Sequence, residues 1–182
     1  MKELLALASE YRMVVVSGCQ RSGTHIMAKI LAHELGWQYI TDEDYDVSDF
    51  NGWANLILTG VHMAAQCPHM SHLLHETPDD VLVVWMHRPI EELIVSFARV
   101  NPGHISASQP YQMLFYSQLP EVGTGRQIGA GWIKVREQYW NMVQRPMLGR
   151  RGVTFNYHDL EEHRLFVHNR TGWTMNQTEG EK

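Results

Sequence analysis

"VVVSGCQRSGTH", residues 14–25, is the stretch of sequence that decides the fold of this chain. Three consecutive valines indicate a strand buried on both faces, because such strands of parallel sheets are apolar along their whole length. A glycine-rich turn follows, and Ile26, Met27, Ile30 and Leu31 then recur at helical spacing. A buried strand that turns sharply into a helix is the outline of a phosphate-binding loop, since the N–H groups and the dipole of a helix N-terminus attract anions.

The loop keeps the spacing of a nucleotide-triphosphate loop but lacks two of its chemical groups. That loop reads G-x-x-x-x-G-K-[S/T], with the lysine on the β- and γ-phosphates and the hydroxyl on Mg²⁺. Gly18 and Gly23 have the required separation, whereas Thr24 and His25 occupy the last two places. We therefore expect the successive N–H groups of residues 22–25 to hold an anion, without the usual parts for magnesium-dependent γ-phosphoryl transfer.

The rest of the chain alternates predicted strands with predicted helices. Helices are expected directly after the loop, after Pro89 and over 126–143. Apolar runs predict the strands, which lie at 13–17, 38–41, 81–87 and 153–157. This alternation predicts an α/β fold, a three-layer, doubly wound parallel sheet of the P-loop NTPase-like type.

Length favours a single domain over residues 1–182. Two segments, 52–76 and 104–124, fit the repeating strand–helix unit poorly, and we assign them to a substrate lid. No apolar run approaches the roughly 18 residues that span a bilayer, so no membrane association is expected. Two cysteines form no disulfide framework, which favours a cytoplasmic location.

The charge balance excludes a nucleic-acid backbone as the ligand. Lysine and arginine total 15 against 20 acidic residues, a net charge of −5, and no basic stripe is present. An anionic ligand must therefore be held by a few placed groups, which favours a small anion over a polyanion.

The loop resembles the 5′-phosphosulfate loop of the sulfotransferase family. Members of that family typically carry Lys or Arg, then Ser or Thr, then Gly-Thr-Thr after a buried strand. Arg21, Ser22, Gly23 and Thr24 match this pattern, and His25 departs from it by replacing the second threonine. The resemblance implies that the chain binds 3′-phosphoadenosine 5′-phosphosulfate (PAPS) without a metal. It also implies that Arg21 is catalytic, by stabilising charge on the leaving phosphate.

Binding of the donor would then involve the whole turn together with the first residues of the following helix. The residues expected to bind it are Gln20, Arg21, Ser22, Gly23, Thr24 and His25.

A second stretch, residues 83–99, resembles the part of the family that holds the 3′-phosphate of the donor. There a strand ends in an arginine, and a serine follows eight residues later, as Arg88 and Ser96 do here. Pro89 directly after the arginine departs from the usual pattern. Arg88 would leave the carboxyl end of a parallel strand, the edge at which such sheets bind ligands.

A looser third likeness covers residues 153–163. It is similar to the family's strand that ends in Tyr-Glu-Asp-Leu, with Asp159 and Leu160 matching and His158 replacing the glutamate. We expect a structural role for it, fixing the last strand to the following helix.

Transfer to an alcohol also needs a group that accepts the hydroxyl proton. Branches of the family that use a carboxylate carry it about as far beyond the loop as Asp42 and Glu43, which also follow the second predicted strand. A histidine near residues 62–75 is the alternative. Pro68 interrupts the run Cys67, His69, His72, His75, and no second ligand pair has zinc spacing, so no metal is expected.

Together these features predict a sulfotransferase that moves a sulfuryl group from PAPS to a small hydroxyl or amine acceptor, leaving 3′,5′-adenosine bisphosphate. The chain is shorter than typical cytosolic members, which implies a reduced acceptor pocket or one completed in a homodimer. The alternatives are a P-loop kinase of a small metabolite or nucleotide, and a non-catalytic nucleotide-binding homologue.

Overall fold

Five parallel strands form the centre of the structure. The computed structural model of the chain describes residues 1–19, 21–41, 44, 50–68, 71–100 and 128–166. The strands stand in the order β2-β3-β1-β4-β5. Their bounds are Met13–Gly18 (β1), Gln38–Ile40 (β2), Met63–Gln66 (β3), Val81–His87 (β4) and Gly152–Asn156 (β5).

Helices connect these strands. They are Lys2–Ala8 (α1), Thr24–Leu35 (α2), Phe50–Thr59 (α3), Ile90–Val100 (α4), Ile128–Tyr139 (α5) and Arg145–Leu148 (α6). A π-helical turn at Trp140–Gln144 joins α5 to α6, so the helix predicted over 126–143 is helical from Ile128 onward. Short 3₁₀ turns lie at Leu74–Glu76, Gly149–Arg151 and Tyr157–Leu160.

The register brings the carboxyl ends of all strands to one edge of the sheet. Met13 at the start of β1 pairs with Met63 of β3 and Val81 of β4, and Gly18 at its end pairs with Met86. Because β2 and β5 are also parallel to their neighbours, the turn after every strand opens on this edge. Parallel sheets bind ligands at such an edge.

Alternate residues of β1 enter two separate cores. Val14 and Val16 pack with Leu4 of α1 and with α2 on one face. Met13 and Val15 face the opposite way, toward α3, α4 and α5. All four side chains are fully buried, and each large apolar side chain removed from water contributes roughly 1.5–3 kcal/mol. A parallel sheet with helices on both faces is the predicted three-layer, doubly wound α/β fold of the P-loop NTPase-like type.

Strand β3 corrects the prediction for residues 52–76. Those residues were assigned to a substrate lid, but they supply most of α3 and the strand that lies between β1 and β2. The strand was missed because its sequence, MAAQ, has neither β-branched side chains nor an alternating pattern. Its buried Ala64 leaves room for α2 to pack closely against the sheet. The second lid segment, 104–124, lies outside the described residues.

Two stacked tryptophans hold the π-helical turn after α5 on the sheet. The rings of Trp85 and Trp140 lie 5.1 Å apart and nearly parallel. Their indole N–H groups donate to Glu137 and to Thr154, so burying both rings leaves no indole donor unpaired. Within the described part of the chain, no helix is long and apolar enough to cross a membrane.

Candidate functional site

The turn after β1 is a tight loop whose shape depends on two glycines. Gly18 has φ +149°, and a Cβ there would lie 2.7 Å from both the Met86 carbonyl oxygen and the Ser22 hydroxyl. Gly23 has φ +94° and caps the start of α2. Both backbones are left-handed, which other residues adopt only with strain. The spacing of these glycines therefore produces the loop predicted from the sequence.

The N-terminus of α2 supplies the donors for an anion. The first N–H groups of a helix have no acceptor within it, and the helix dipole places partial positive charge there. Thr24 and His25 occupy these positions. The Ser22 N–H differs from the expectation, because it donates to the Cys19 carbonyl over 3.1 Å and so closes the turn. Gln20 lies outside the described residues.

The structure brings Arg21, Arg88 and Ser96 together. The Arg21 backbone is left-handed at φ +70°, and its Nε donates to the Ser96 hydroxyl over 3.2 Å. Arg88 Nη1 donates to the Arg21 carbonyl oxygen over 3.1 Å. Two guanidinium groups and a hydroxyl thus converge beside the N-terminus of α2. Like charges held this close repel each other, and an anion between them relieves the repulsion.

Two further contacts fix Arg88. Its guanidinium carbon lies 4.0 Å from the centroid of the Tyr157 ring, and its Nε donates to Glu92 over 3.0 Å. Among the described residues, no partner faces its remaining nitrogen, Nη2. Stacking on an aromatic ring holds a guanidinium in one plane while its N–H groups stay available at the edge.

Glu92 also contacts His158, the residue that departs from the family's Tyr-Glu-Asp-Leu pattern. His158 Nε2 lies 2.8 Å from one Glu92 oxygen, and its Nδ1 lies 3.3 Å from Glu161. The hydrogen bond to Glu92 is the main reason that the pKa of His158 is raised. Burial raises the pKa of Glu92, but hydrogen bonds from Arg88 and His158 outweigh it, so that pKa lies below its ordinary value.

Tyr157 joins the third stretch of sequence to the loop. A Cβ at Gly23 would lie 2.6 Å from the Tyr157 ring, so the ring packs directly against the start of α2. The Tyr157 ring also contacts Phe166, whose ring stands edge-on at 5.8 Å. We predicted a structural role for this stretch, and Tyr157 contacts both the loop and Arg88. The sequence alone did not predict the contacts of Tyr157 with the loop and with Arg88.

His25 is tied to the ends of β2 and β3. Its Nδ1 lies 2.7 Å from the Tyr39 hydroxyl and 3.1 Å from Gln66 Oε1. Gln66 Nε2 in turn reaches the Thr24 hydroxyl at 3.5 Å. The imidazole that replaces the family's threonine therefore bridges the loop to the neighbouring strands.

Two adjacent residues of α5 reach the same edge of the sheet and were not predicted. Arg136 is 3% exposed, and its Nη2 donates to the carbonyl oxygens of Gly18 at 2.9 Å and Pro68 at 2.6 Å. Glu137 accepts from Trp85 and lies 3.4 Å from His87 Nδ1. Arg136 ties α5 to the ends of β1 and β3, and Glu137 orients an imidazole at the end of β4.

The proposed proton acceptors and the histidine run have different outcomes. Asp42, Glu43 and His69 lie outside the described residues, although β2 does end at the edge that carries the loop. His72 is buried. His75 lies in the 3₁₀ turn that precedes β4, where it contacts Gln144. Among the residues that the structure describes, no group of three or more His, Cys, Asp or Glu side chains could hold a metal ion.

Comparison with known proteins leaves the family open. The sequence matches no protein-family model and no curated protein. An unliganded sugar kinase from Janibacter sp. HTCC2649 has a TM-score of 0.40 and 17% identity, covering 81% of this chain and 86% of its own. Shikimate kinase from Acinetobacter baumannii, in complex with shikimate, has a TM-score of 0.40 and 11% identity, covering 76% and 99%. Both structures are kinases, and neither is a sulfotransferase.

Proposed function

We propose that this chain is a nucleotide-dependent group transferase whose donor binds on the loop after β1. The observation that carries the proposal is the convergence of Arg21, Arg88 and Ser96 beside the N-terminus of α2. Two cations, a hydroxyl and the N–H groups of a helix N-terminus form a site for phosphate groups. Two finer reactions are compatible with it, and they differ in donor and in metal requirement.

Sulfuryl transfer from PAPS is the proposal that the side chains favour. The S–O bond to the 5′-phosphate breaks, a new bond forms from sulfur to the oxygen or nitrogen of the acceptor, and the acceptor proton passes to a base. Arg21 and the helix N–H groups would stabilise the charge that develops on the leaving phosphate. Arg88 and Ser96 would hold the 3′-phosphate. A sulfuryl group carries less charge than a phosphoryl group, so one cation and fixed N–H donors can suffice without a metal.

Phosphoryl transfer from ATP to a small metabolite is the second candidate. It is the reaction class of the two kinases whose structures are similar to this fold. The sheet and the position of the loop suit either reaction. The side chains at positions 24 and 25 disfavour this one, since the lysine and the Mg²⁺ ligand of a kinase loop are absent from the loop sequence.

For the proton acceptor, His87 joins Asp42 and Glu43 as a candidate. It ends β4 next to Arg88, and Glu137 lies at its Nδ1. A carboxylate at one ring nitrogen orients an imidazole and leaves its other nitrogen to take a proton. The His87 side chain is 42% exposed, and it is therefore accessible to an acceptor.

Calorimetric titration tests the choice between the two donors. We expect 3′,5′-adenosine bisphosphate to bind without metal and more tightly than AMP, because AMP lacks the 3′-phosphate. Arg88→Ala should remove most of that difference, about 10- to 100-fold for a lost charge-assisted hydrogen bond. Arg150→Ala is the matched control. Arg150 is exposed and lies just before β5, at the opposite edge of the sheet.

Three results would overturn the sulfuryl proposal. Tight magnesium-dependent binding of ATP with no binding of the bisphosphate would establish the kinase alternative. An unchanged preference for the bisphosphate over AMP in Arg88→Ala would remove the 3′-phosphate assignment. Binding of PAPS with no release of bisphosphate, for any hydroxyl or amine acceptor supplied, would indicate the non-catalytic homologue.

A further inference from the structure

We propose that the Glu92 carboxylate pairs with Arg88 in place of a ligand phosphate. When the phosphate binds Arg88, the displaced Glu92 carboxylate pairs with protonated His158 alone. The phosphate site would then take up a proton together with its ligand. This inference rests on the proposed function, since it assumes that Arg88 binds a phosphate group. It adds how the charge of Arg88 is balanced without ligand and how the site releases Arg88.

Arg88 is the fixed member of the Arg88–Glu92 pair. It precedes α4, its plane lies on the Tyr157 ring, and Nη1 is held by the Arg21 carbonyl. Its side chain is 19% exposed. Glu92 lies in the first turn of α4 with its side chain 36% exposed, and it contacts Arg88 only through Nε. A rotation of the Glu92 side chain can therefore free that N–H group without moving the guanidinium.

His158 offers the displaced carboxylate a second partner. Its two ring nitrogens face two carboxylates, Glu92 at 2.8 Å and Glu161 at 3.3 Å. A neutral imidazole has one N–H and can donate to one of them, whereas the imidazolium donates to both. The arrangement therefore selects the protonated form, and the raised pKa of His158 agrees with this geometry.

The charges of the surroundings make this exchange depend on pH. Arg88 and Glu92 belong to the β4–α4 side, Glu161 and His158 to the turn after β5, and Arg21 to the loop. Asp159, also in that turn, accepts from the Asn156 amide. With His158 protonated, the two acids Glu92 and Glu161 are balanced by Arg88 and the imidazolium. With His158 neutral, Glu92 has only Arg88 as a cation, and a phosphate must compete with it.

The expected pH dependence has a definite sign. A phosphate dianion and a displaced Glu92 both favour the imidazolium, so His158 binds its proton more tightly in the complex than in the free protein. Affinity should therefore fall as pH rises above the raised pKa of His158 in the free protein, by at most tenfold per pH unit for one proton. A phosphate monoester is already mostly dianionic above about pH 7, so its own titration adds little there.

Calorimetry with 3′,5′-adenosine bisphosphate from pH 7 to 9 tests the inference. For the unchanged protein we expect weaker binding at higher pH, and proton uptake when two buffers of different ionisation enthalpy are compared at pH 7.5. Glu92→Gln should bind more tightly at pH 9 and lose most of the pH dependence. His158→Gln should bind at pH 7 as weakly as the unchanged protein does at pH 9, without proton uptake.

His33→Gln is the matched control. His33 also lies beside a glutamate, Glu34 at 3.6 Å, but near the end of α2 away from the loop, so its loss should leave affinity and proton uptake unchanged. If bisphosphate binds but Glu92→Gln binds no more tightly and His158→Gln keeps the proton uptake, this inference is wrong and the proposed function stands. If bisphosphate binds to none of the proteins, including Glu92→Gln, the proposed function itself is wrong.

Discussion

Arg21 and Ser96 are 75 positions apart in the chain, yet the Arg21 Nε donates to the Ser96 hydroxyl over 3.2 Å. The hydrogen bond joins the loop after β1 to α4, the helix that follows β4. It holds the arginine beside the helix N-terminus and Arg88. The first two stretches of sequence singled out for phosphate binding are therefore in direct contact.

Ser96→Ala should weaken the binding of 3′,5′-adenosine bisphosphate about 5- to 10-fold, because it removes a hydroxyl that contacts Arg21 and could also contact the ligand. Isothermal titration without metal measures the change. Ser9→Ala is a suitable control, since Ser9 donates only to the Ala6 carbonyl at the exposed end of α1. An equal loss in both variants would contradict a binding role for Ser96.

Arg21→Gly and Arg21→Ala separate the conformation of the loop from its charge. Both variants should lose bisphosphate affinity to the same extent, because both lack the guanidinium. The free energy of unfolding of the glycine variant should be up to about 1 kcal/mol higher than that of the alanine variant. The reason is that only glycine adopts the left-handed backbone of position 21 without strain. Urea denaturation of the pair gives this difference. Equal stabilities would mean that the loop relaxes its backbone when Arg21 is replaced.

Gly23→Ala should destabilise the fold more than Gly36→Ala does. Both glycines are left-handed, so each substitution has a backbone cost of about 1–2 kcal/mol. A Cβ at Gly36 meets nothing within 4 Å, whereas one at Gly23 would lie 2.6 Å from the Tyr157 ring. Thermal denaturation compares the two variants. Similar melting temperatures would show that Tyr157 moves aside at little cost.

The two cysteines should not react with a disulfide reagent in the folded protein at pH 8. Cys19 and Cys67 are both fully buried, and burial, partly offset by Arg136, raises the pKa of Cys19 to about 12. At pH 8 the Cys19 thiol is thus protonated, and the thiolate is the reactive form. Both thiols should become reactive in urea. Ser9→Cys, on an exposed turn, provides the reactive control, and rapid reaction of the unchanged protein would contradict the burial.

The sequence predicted the fold well where the side chains carry a strong pattern. Valine-rich β1 and the apolar run of β4 were found because strands buried on both faces must be continuously apolar, and Gly36 ends α2 as expected. Strand β3 was missed because alanine is found in every type of element and therefore gives no signal for a strand, even where a closely packed helix requires a small side chain. Pairing with β1 and β2 decides its structure, and pairing is not a local property.

For the candidate site, too, the sequence predicted what depends on local sequence and missed what depends on the packing of distant elements. Arg21, Arg88 and Ser96 were named as candidates because two stretches after apolar strands resemble sulfotransferase motifs, and the structure brings these three residues into contact. Tyr157 and Arg136 were not identified as site residues, because their positions depend on how β5 and α5 pack against the loop. His158 was noted only as a departure from the family pattern, and its two carboxylate neighbours became visible only in three dimensions.

Strand β1 ends at residue 18, but both strands that flank it are made later, β3 at residues 63–66 and β4 at 81–87. During synthesis the central strand must wait for a partner until β3 has been made, and Tyr157 reaches the loop only when β5 has been added. Contacts between such distant positions slow folding, because the chain loses the entropy of a long loop before the contact can stabilise the fold. The earliest element of the site is therefore the last to take its final shape.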